Sequence, residues 1–578
     1  MPKLEQISPA EFAAQRALKK MTECIHARQN FRMEAGAGAG KTYSLVEALK
    51  LIIEEQGTTL QRQHQKVACI TYTNVATDEI VSRIDRHPVV YASTIHSFCW
   101  ELIKNFQPFL RKKVPEIKGW AKKLRESDGV GTQRVDYELG YRFINESHLL
   151  LHHDDVLTLA IELMEIRKFR RILTARFPVL FIDEYQDTNA GFAESIVQYF
   201  IEPKEGPLIG LFGDSWQKIY GDGVGLIEHN NLKHIGKEAN FRSVKNIVDV
   251  LNNIRPELPQ EVHAPEASGS VKVYHSNEWA GQRQTGGHWT GGLPVDVAHG
   301  YLEELRSRLS EDGWDFSSPA TKILMLTHNI LASEQDYAQI VKAFRFNDAF
   351  IKKEDPHIAF LVDTVEPACI AFQKGLYGEM FALIRARSES IRSLADKQAL
   401  AREMRTLLEL RESGTIGEVL DHLKKTRRPR LPDRVQKTEA KLSKASPEEI
   451  EGSPTLKQIH KLRAIPYKEL SALALFVNDH TPFSTKHGVK GAEFENVLVV
   501  FGRGWSQYNW NRFLEWFPDK YPPGKEDSYI RNRNLFYVAC SRPKKRLALL
   551  FTQELSEDAL TTLQSWFGGG NVIPFVIE

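Results

Sequence analysis

Short, nearly unbroken apolar runs occur in two separated stretches of the chain. In the first, Val67 to Thr71, Val179 to Ile182 and Leu208 to Phe212 each lead into polar residues and then a helical pattern. In the second, Val271 to Tyr274, Lys322 to Leu326, Val497 to Phe501 and Arg546 to Phe551 do the same. A strand that is apolar on both faces belongs in a parallel sheet covered by helices. The pattern therefore predicts an α/β fold with two parallel-sheet lobes, with ligand sites at the carboxyl ends of the strands.

Two stretches between these runs, 101–175 and 346–475, read as mainly helical insertions. The first is rich in Lys and Arg: Arg111, Lys112, Lys113, Lys118, Lys122, Lys123 and Arg125. In the second, Ser446-Pro447-Glu448-Glu449 has the form of a capping box with Pro at the first helical position, and Ser453-Pro454 repeats the device. Ile416, Val419, Leu420 and Leu423 share one helical face. Gly281 to Gly292 predicts a mobile surface loop.

With 578 residues, the chain is too long for one core. A net charge of only +2 excludes a protein that is basic all over, so any binding of nucleic acid must use local positive charge. The densest run is Lys424, Lys425, Arg427, Arg428 and Arg430, which also reads as a solvated loop. The five cysteines (Cys24, Cys69, Cys99, Cys369, Cys540) form no C-x-x-C, so zinc and redox motifs are unsupported and buried thiols are expected. With no signal-peptide core and no run of membrane-spanning length, the expectation is a cytoplasmic protein with no membrane partner.

The chemistry concentrates in two motifs. Ala35-Gly36-Ala37-Gly38-Ala39-Gly40-Lys41-Thr42 follows a short strand around Phe31 and Met33 and opens a helix. Glycines let backbone N–H groups wrap around phosphates at a helix N-terminus. Lys41 is then placed for the β- and γ-phosphates and Thr42 for Mg²⁺. The strand Val179 to Ile182 ends in Asp183-Glu184. There Asp183 would position the metal through its water shell and Glu184 would deprotonate the attacking water. ATP and Mg²⁺ are the implied ligands.

From here the residues carry a family resemblance. Asp183-Glu184-Tyr185-Gln186-Asp187-Thr188-Asn189 resembles motif II of the UvrD/Rep/PcrA-like superfamily 1 DNA helicases. The phosphate loop is similar to their A-G-A-G-x-G-K-T, which accounts for Ala35. Thr71-Tyr72-Thr73-Asn74 and Thr94-Ile95-His96-Ser97-Phe98 resemble motifs Ia and Ib. Phe212 to Gly221 resembles motif III, Asn240-Phe241-Arg242-Ser243 motif IV, Thr485 to Phe494 motif V and Tyr537 to Arg542 motif VI. All occur in family order. The resemblance implies two RecA-like lobes of the P-loop NTPase fold. Lobe 1A would comprise 1–100 and 176–240, with insertion 1B at 101–175. Lobe 2A would comprise 241–345 and 476–578, with insertion 2B at 346–475.

The resemblance also implies roles. Gln217 would sense the γ-phosphate, Phe241 would stack on adenine and Glu493 would hold the ribose. Arg242 and Arg542 would be arginine fingers from the second lobe. Gln15, or else Gln6, would read the adenine. Tyr72, Thr73, Asn74, His96, Ser97, Phe98 and His487 would contact DNA, with a core position as the lesser alternative for Tyr72 and Phe98. Movement along single-stranded DNA would run 3′ to 5′, with duplex junctions as a second DNA partner.

Two departures bear on this. Asp222-Gly223 stands where the family has a Trp-Arg pair, so Trp216 or Tyr220 would have to replace the usual base-stacking Trp. The 346–475 insertion has Thr415-Ile416-Gly417 in place of a duplex-binding Gly-Ile-Gly. The chain ends soon after motif VI with no appended cluster of nuclease acids, so any cutting is expected from a partner nuclease. The Phe536 to Lys545 stretch is similar to small helicases paired with overcoming-lysogenization-type nucleases in antiviral systems such as Gabija. The expectation is a DNA helicase of defence or repair. The alternative is a regulatory subunit that senses ATP and DNA for a nuclease and unwinds little.

Overall fold

The computed structural model describes residues 7–577 apart from 128, 139–141, 219, 220, 222, 318, 326–334, 345–347, 352, 385–392, 479–482, 485–491 and 503–507. Its contacts divide the chain into two compact units. One is Met1–Val271 with Trp516–Leu547 and Thr561–Gly569; the other is Lys272–Glu515 with Ala548–Leu560 and Gly570–Glu578.

The first unit is built on six strands: β1 (Phe31–Ala35), β2 (Val67–Thr71), β3 (Val90–Thr94), β4 (Val179–Asp183), β5 (Leu208–Gly213) and β6 (Lys233–Lys237). They lie in the order β3-β2-β4-β5-β1-β6, and every pairing is parallel. Strands β2, β4 and β5 are buried at every position, as their apolar runs require, and β1 is buried throughout although it carries Arg32 and Glu34. Phe31, Phe181 and Phe212 meet edge to face on neighbouring strands, with centroids 5.5–6.1 Å apart. Helices α1 (Pro9–His26), α2 (Lys41–Arg62), α3 (Asn74–Arg83) and α4 (Ile95–Ile103) flank these strands in sequence.

The 101–175 stretch is mainly helical, as expected, with one addition. It holds a three-stranded sheet in which Arg134–Tyr137 runs parallel and Phe143–Ile144 antiparallel to the central His148–Leu151. Buried Val135, Leu149 and Leu151 lie on segments too short to show a period. Buried Asp155 ties the insertion together, accepting from Trp120 Nε1 at 3.0 Å and from the Arg142 guanidinium at 2.7–3.1 Å.

A second six-stranded sheet takes the order Phe483–Ser484, Thr321–Met325, Phe494–Phe501, Pro543–Phe551, Ser270–His275, Val572–Pro574. The architecture is thus α/β, two parallel-sheet lobes of RecA type with mainly helical insertions. In the second unit the helix punctuation follows the sequence. Ser446 caps Pro447–Gly452 in a capping box with Glu449, and Ser453 caps Pro454–Arg463. Ile416, Val419, Leu420 and Leu423 are fully buried. The Gly281 to Gly292 segment is a closed loop, with backbone bonds of 2.9 Å from Gln284 N to Gly292 O and from Gly291 N to Gln284 O. Among the described residues no helix is long and apolar enough to cross a membrane. All five cysteines are buried free thiols.

Candidate nucleotide site and nucleic-acid interface

Strand β1 delivers Ala35 to the sheet's carboxyl edge, where the chain turns through Gly36 to Gly40 into α2. Gly38 and Gly40 take left-handed φ values of 74° and 73°. At Gly38 a Cβ would lie 2.8 Å from Arg242 Cβ and 2.9 Å from Asn240 Oδ1, so a side chain there is barred by space as well as by φ. Ala35, Ala37 and Ala39 are buried small residues that let the loop close. No described side chain caps α2, which leaves its first-turn N–H groups to an anion. Lys41 and Thr42, both half-buried, open the helix.

Strand β4, two strands from β1 in the sheet, ends in buried Asp183, whose Oδ1 accepts from Glu184 N at 3.1 Å. Glu184 has φ 49° and ψ 46°, a left-handed conformation strained for a residue with a Cβ and typical of functional turns. Its carboxylate lies 3.3 Å from Lys41 Nζ. From Glu184 the hydrogen bonds continue. Gln186 Nε2 donates to Glu184, Gln186 Oε1 accepts from Asp214 N at 3.0 Å, and Asp214 Oδ2 accepts from Gln217 Nε2 at 2.7 Å. Gln217 Oε1 then accepts from Arg542 Nη2 at 3.3 Å. Lys41, Glu184, Gln217 and Arg542, four predicted site residues spread over most of the sequence, stand on one continuous chain.

Arg542 is buried at 1% exposure. Burial and the neighbouring Arg242 push its pKa down to about 9, against the pull of Glu184, Tyr537 and Asp214, so it still carries charge at neutral pH. Arg242 donates to Ser541 O at 3.0 Å, which fixes it beside motif VI. Phe241 N donates to Gly38 O at 2.9 Å, while the Phe241 ring stays 41% exposed and leans on His263 at 5.5 Å. His263 Nδ1 bonds Ser8 Oγ, the cap of α1, at 3.0 Å. Gln15 is exposed on that same helix. Gln6 lies outside the described residues. Glu493 is exposed just before Phe494–Phe501, in the other unit.

Several buried polar residues at the loop are given no individual role by the sequence. Asn240 Nδ2 and Gln260 Nε2 each donate to Ala37 O at 3.1 Å. The Tyr537 hydroxyl accepts from Ala37 N at 3.5 Å. Lys237, 1% exposed, donates to Gly40 O at 2.9 Å and Ser44 Oγ at 2.7 Å, and burial depresses its pKa to about 8. Glu34, Asp214 and Arg255 form a buried ionic group behind the loop. Of these, Lys237, Arg255 and Gln260 lie outside every motif and reach the site only through folding.

The DNA-side motifs sit at the carboxyl ends of β2 and β3, which pair with Thr71 opposite Thr94. Thr73 caps α3 through a 3.2 Å bond from Ala76 N, and Thr94 caps α4 through a 3.4 Å bond from Ser97 N. Two helix N-termini therefore stand side by side, a suitable cradle for phosphates. Tyr72, Thr73, Asn74 and Ser97 are exposed, and His96 is half-buried against His153 at 5.0 Å.

Phe98 is a correction. At 1% exposure it packs on Phe177 and Tyr91 at 5.4 and 6.4 Å, a core aromatic out of reach of DNA. Trp216 is another. At 8% exposure it lies under Arg533 at 4.0 Å and beside Arg255 and Tyr537, so its ring has no face for a base. Thr415-Ile416-Gly417 forms a helix cap with Ile416 and Gly417 buried, not a duplex-facing loop. Tyr220, Asp222 and His487 lie outside the described residues.

The AAA domain family matches residues 15–222, and the UvrD-like helicase C-terminal domain family matches 319–554. The Gabija protein GajB of Bacillus cereus (strain HuB5-5) is 24% identical over 97% of this chain and 98% of its own length. The ATP-dependent DNA helicase Rep of Buchnera aphidicola subsp. Baizongia pistaciae is 25% identical over 38% of this chain and 39% of its own. Rep of the subspecies Acyrthosiphon pisum is also 25% identical, over 38% and 42%. With both matches in order along a chain that carries this phosphate loop, the protein belongs to the UvrD-like helicases.

Proposed function

We propose that the chain hydrolyses Mg²⁺-ATP to move 3′ to 5′ along single-stranded DNA and to separate strands at duplex junctions. It is an ATP-dependent DNA helicase. The observation that carries the reading is the unbroken hydrogen-bonded chain from Lys41 through Glu184, Gln186, Asp214 and Gln217 to Arg542. Through it, a change at the γ-phosphate is felt at both ends of the site.

The residues divide the work as follows. The loop Ala35 to Gly40 wraps the phosphates with backbone N–H groups, and Lys41 turns from Glu184 to the β- and γ-oxygens. Hard oxygen donors at Thr42 and Asp183, at the loop's mouth, suit Mg²⁺, which when bound neutralises charge on the phosphates. Glu184, released from Lys41, orients the attacking water and takes its proton. Gln217 senses the γ-phosphate, and Arg242 and Arg542 supply positive charge to the transferring group. Phe241 offers its exposed face to adenine, with Gln15 nearby and Glu493 for the ribose. We place the lobe boundary at 240/241 and the insertions at 101–175 and 346–475. On that division both arginines belong to the second lobe, although they lie with the phosphate loop in one compact unit.

Tyr72, Thr73, Asn74, His96, Ser97 and His487 hold the strand by its phosphates, without reading sequence. The likeness to GajB along the whole chain supports work with a partner nuclease in antiviral defence. Buried free thiols suit the cytoplasm. One observation favours a second reading, a DNA-sensing subunit of such a nuclease: Trp216, Ile416 and Gly417 are buried in packing and offer DNA no grip. ATPase assays with and without single-stranded DNA test the motor. Unwinding of 3′- and 5′-tailed duplexes, with and without the nuclease, separates the two readings. DNA-stimulated ATPase with weak unwinding by the chain alone is expected. Processive unwinding without a partner excludes the second reading, and no ATPase under any condition overturns both.

A further inference from the structure

Arg255 follows the helix Lys245–Ile254, and no motif includes it. It is 3% exposed, in a place where a guanidinium persists only if it is fully paired. Its two terminal nitrogens reach different segments. Nη1 meets Asp214 Oδ1 at 2.5 Å, and Nη2 meets Glu34 Oε1 at 3.1 Å, while Nε turns to Glu257 at 3.2 Å. The Trp216 and Tyr537 rings flank the guanidinium, with centroids 5.1 and 5.6 Å from Cζ.

Both carboxylates are tied to the nucleotide site. Glu34 is the strand residue just before Ala35. It accepts from Ser215 N at 2.7 Å, Ser215 Oγ at 2.6 Å and Tyr185 OH at 2.6 Å. Asp214 accepts from Trp216 N at 3.1 Å through the oxygen that meets Arg255, and from Gln217 Nε2 at 2.7 Å through the other. Burial alone would raise the Glu34 pKa. The charge of Arg255 and the bonds from Ser215 and Tyr185 outweigh burial and hold it below the ordinary carboxylate value. The group is therefore ionic, and a two-pronged cation is what keeps it so.

We propose that Arg255 is a positioning residue: by clamping Glu34 and Asp214 together it fixes the angle at which Gln217 meets Arg542 and the γ-phosphate. The inference rests on the proposed ATPase. Glu34, Asp214 and Arg255 all lie in the same compact unit, and the clamp acts on Gln217 without touching nucleotide. Lysine cannot reproduce it, because an ammonium is a point charge and lacks the planar fork that meets two carboxylates at once.

The test compares the parent with Arg255→Lys, Glu34→Gln and Gln217→Ala, alone and in pairs. It reads DNA-stimulated kcat, KM for ATP and the thermal midpoint. Arg255→Lys is expected to lower kcat roughly 10- to 100-fold with KM for ATP within about threefold, since a charge-assisted contact is lost in the transition state and not in ground-state binding. Adding it to Gln217→Ala should cost little more than Gln217→Ala alone, because both act through one side chain. Glu34→Gln, which keeps shape and acceptor, should give a smaller fall of the same kind and serves if Arg255→Lys does not fold. A lower thermal midpoint with parental kcat per folded molecule, or losses that add fully with Gln217→Ala, overturns the proposal and leaves Arg255 a packing residue. A parent without DNA-stimulated ATPase overturns the reading beneath it, which distinguishes the two failures.

Discussion

The two ends of the first sheet's carboxyl edge are built by opposite means. At the phosphate loop, Asp183, Asp214, Gln217, Arg255 and Arg542 are all buried, and hydrogen bonds lock each to its neighbours. At the DNA side, Tyr72, Thr73, Asn74 and Ser97 are exposed, where Thr73 and Thr94 cap two helices. The difference is one of solvent. A polar group taken out of water must find a partner or destabilise the fold, so the nucleotide end admits one arrangement. Groups left in water hold no such constraint and adapt to a flexible strand. Chemistry that requires fixed angles sits at the first end, and sequence-tolerant grip sits at the second.

The comparison breaks most visibly if charge is removed from the buried end. Arg542→Ala and Arg242→Ala are each expected to slow ATP hydrolysis by about 10³–10⁵, the range known for arginine fingers, with much weaker effects on nucleotide binding. Lys41→Ala should abolish turnover with the fold intact. Glu184→Gln should bind Mg²⁺-ATP and lose turnover. Paired nucleotide-binding and turnover assays check all four; parental turnover in any one removes that residue from the mechanism.

Phe98→Ala tests the corrected member of the DNA side. As a core ring at 1% exposure it should cost about 3–5 kcal/mol of stability, measured by urea unfolding. DNA affinity of the folded fraction should stay at the parental value; a specific loss of affinity would return Phe98 to the interface.

Lys237 sharpens the contrast between buried and exposed cations. Burial lowers its pKa from 10.5 to about 8. Below pH 8 both the folded and the unfolded chain hold the proton, and the penalty for a buried charge is fully present. Between about pH 8 and 10.5 the unfolded chain binds more protons, so stability rises with pH by on the order of 3 kcal/mol at most. Lys237→Met should remove that rise, as seen by urea unfolding at pH 7.5 and 10. An equal rise in parent and variant would assign it to other groups.

The smallest effect belongs to the exposed end. Thr73→Ala removes a cap worth about 1 kcal/mol and should weaken single-stranded DNA binding several-fold, equally for all sequences. Binding by the parent should fall steeply with salt. Binding titrations on homopolymers at two salt concentrations check both; a sequence-dependent loss would point to base readout.

Wherever a local pattern decides, the sequence alone determined the outcome. Continuous apolar runs specified β2, β4 and β5, because only a doubly covered parallel strand buries both faces. Ser446-Pro447 and Ser453-Pro454 announced their helices because capping is a contact within one turn. The phosphate loop and the paired acids were legible for the same reason. Three features were not. The strands of 134–151 are too short to show a period within a helical stretch. Phe98 and Trp216 have the composition of DNA contacts, and only packing shows their faces covered. Lys237, Arg255 and Gln260 come from segments distant from the phosphate loop and no motif includes them; Glu34 adjoins the loop, but nothing local shows what its carboxylate must pair with. Their role is set by which buried charge or carbonyl each must satisfy, and that is fixed only once the chain has folded around the loop.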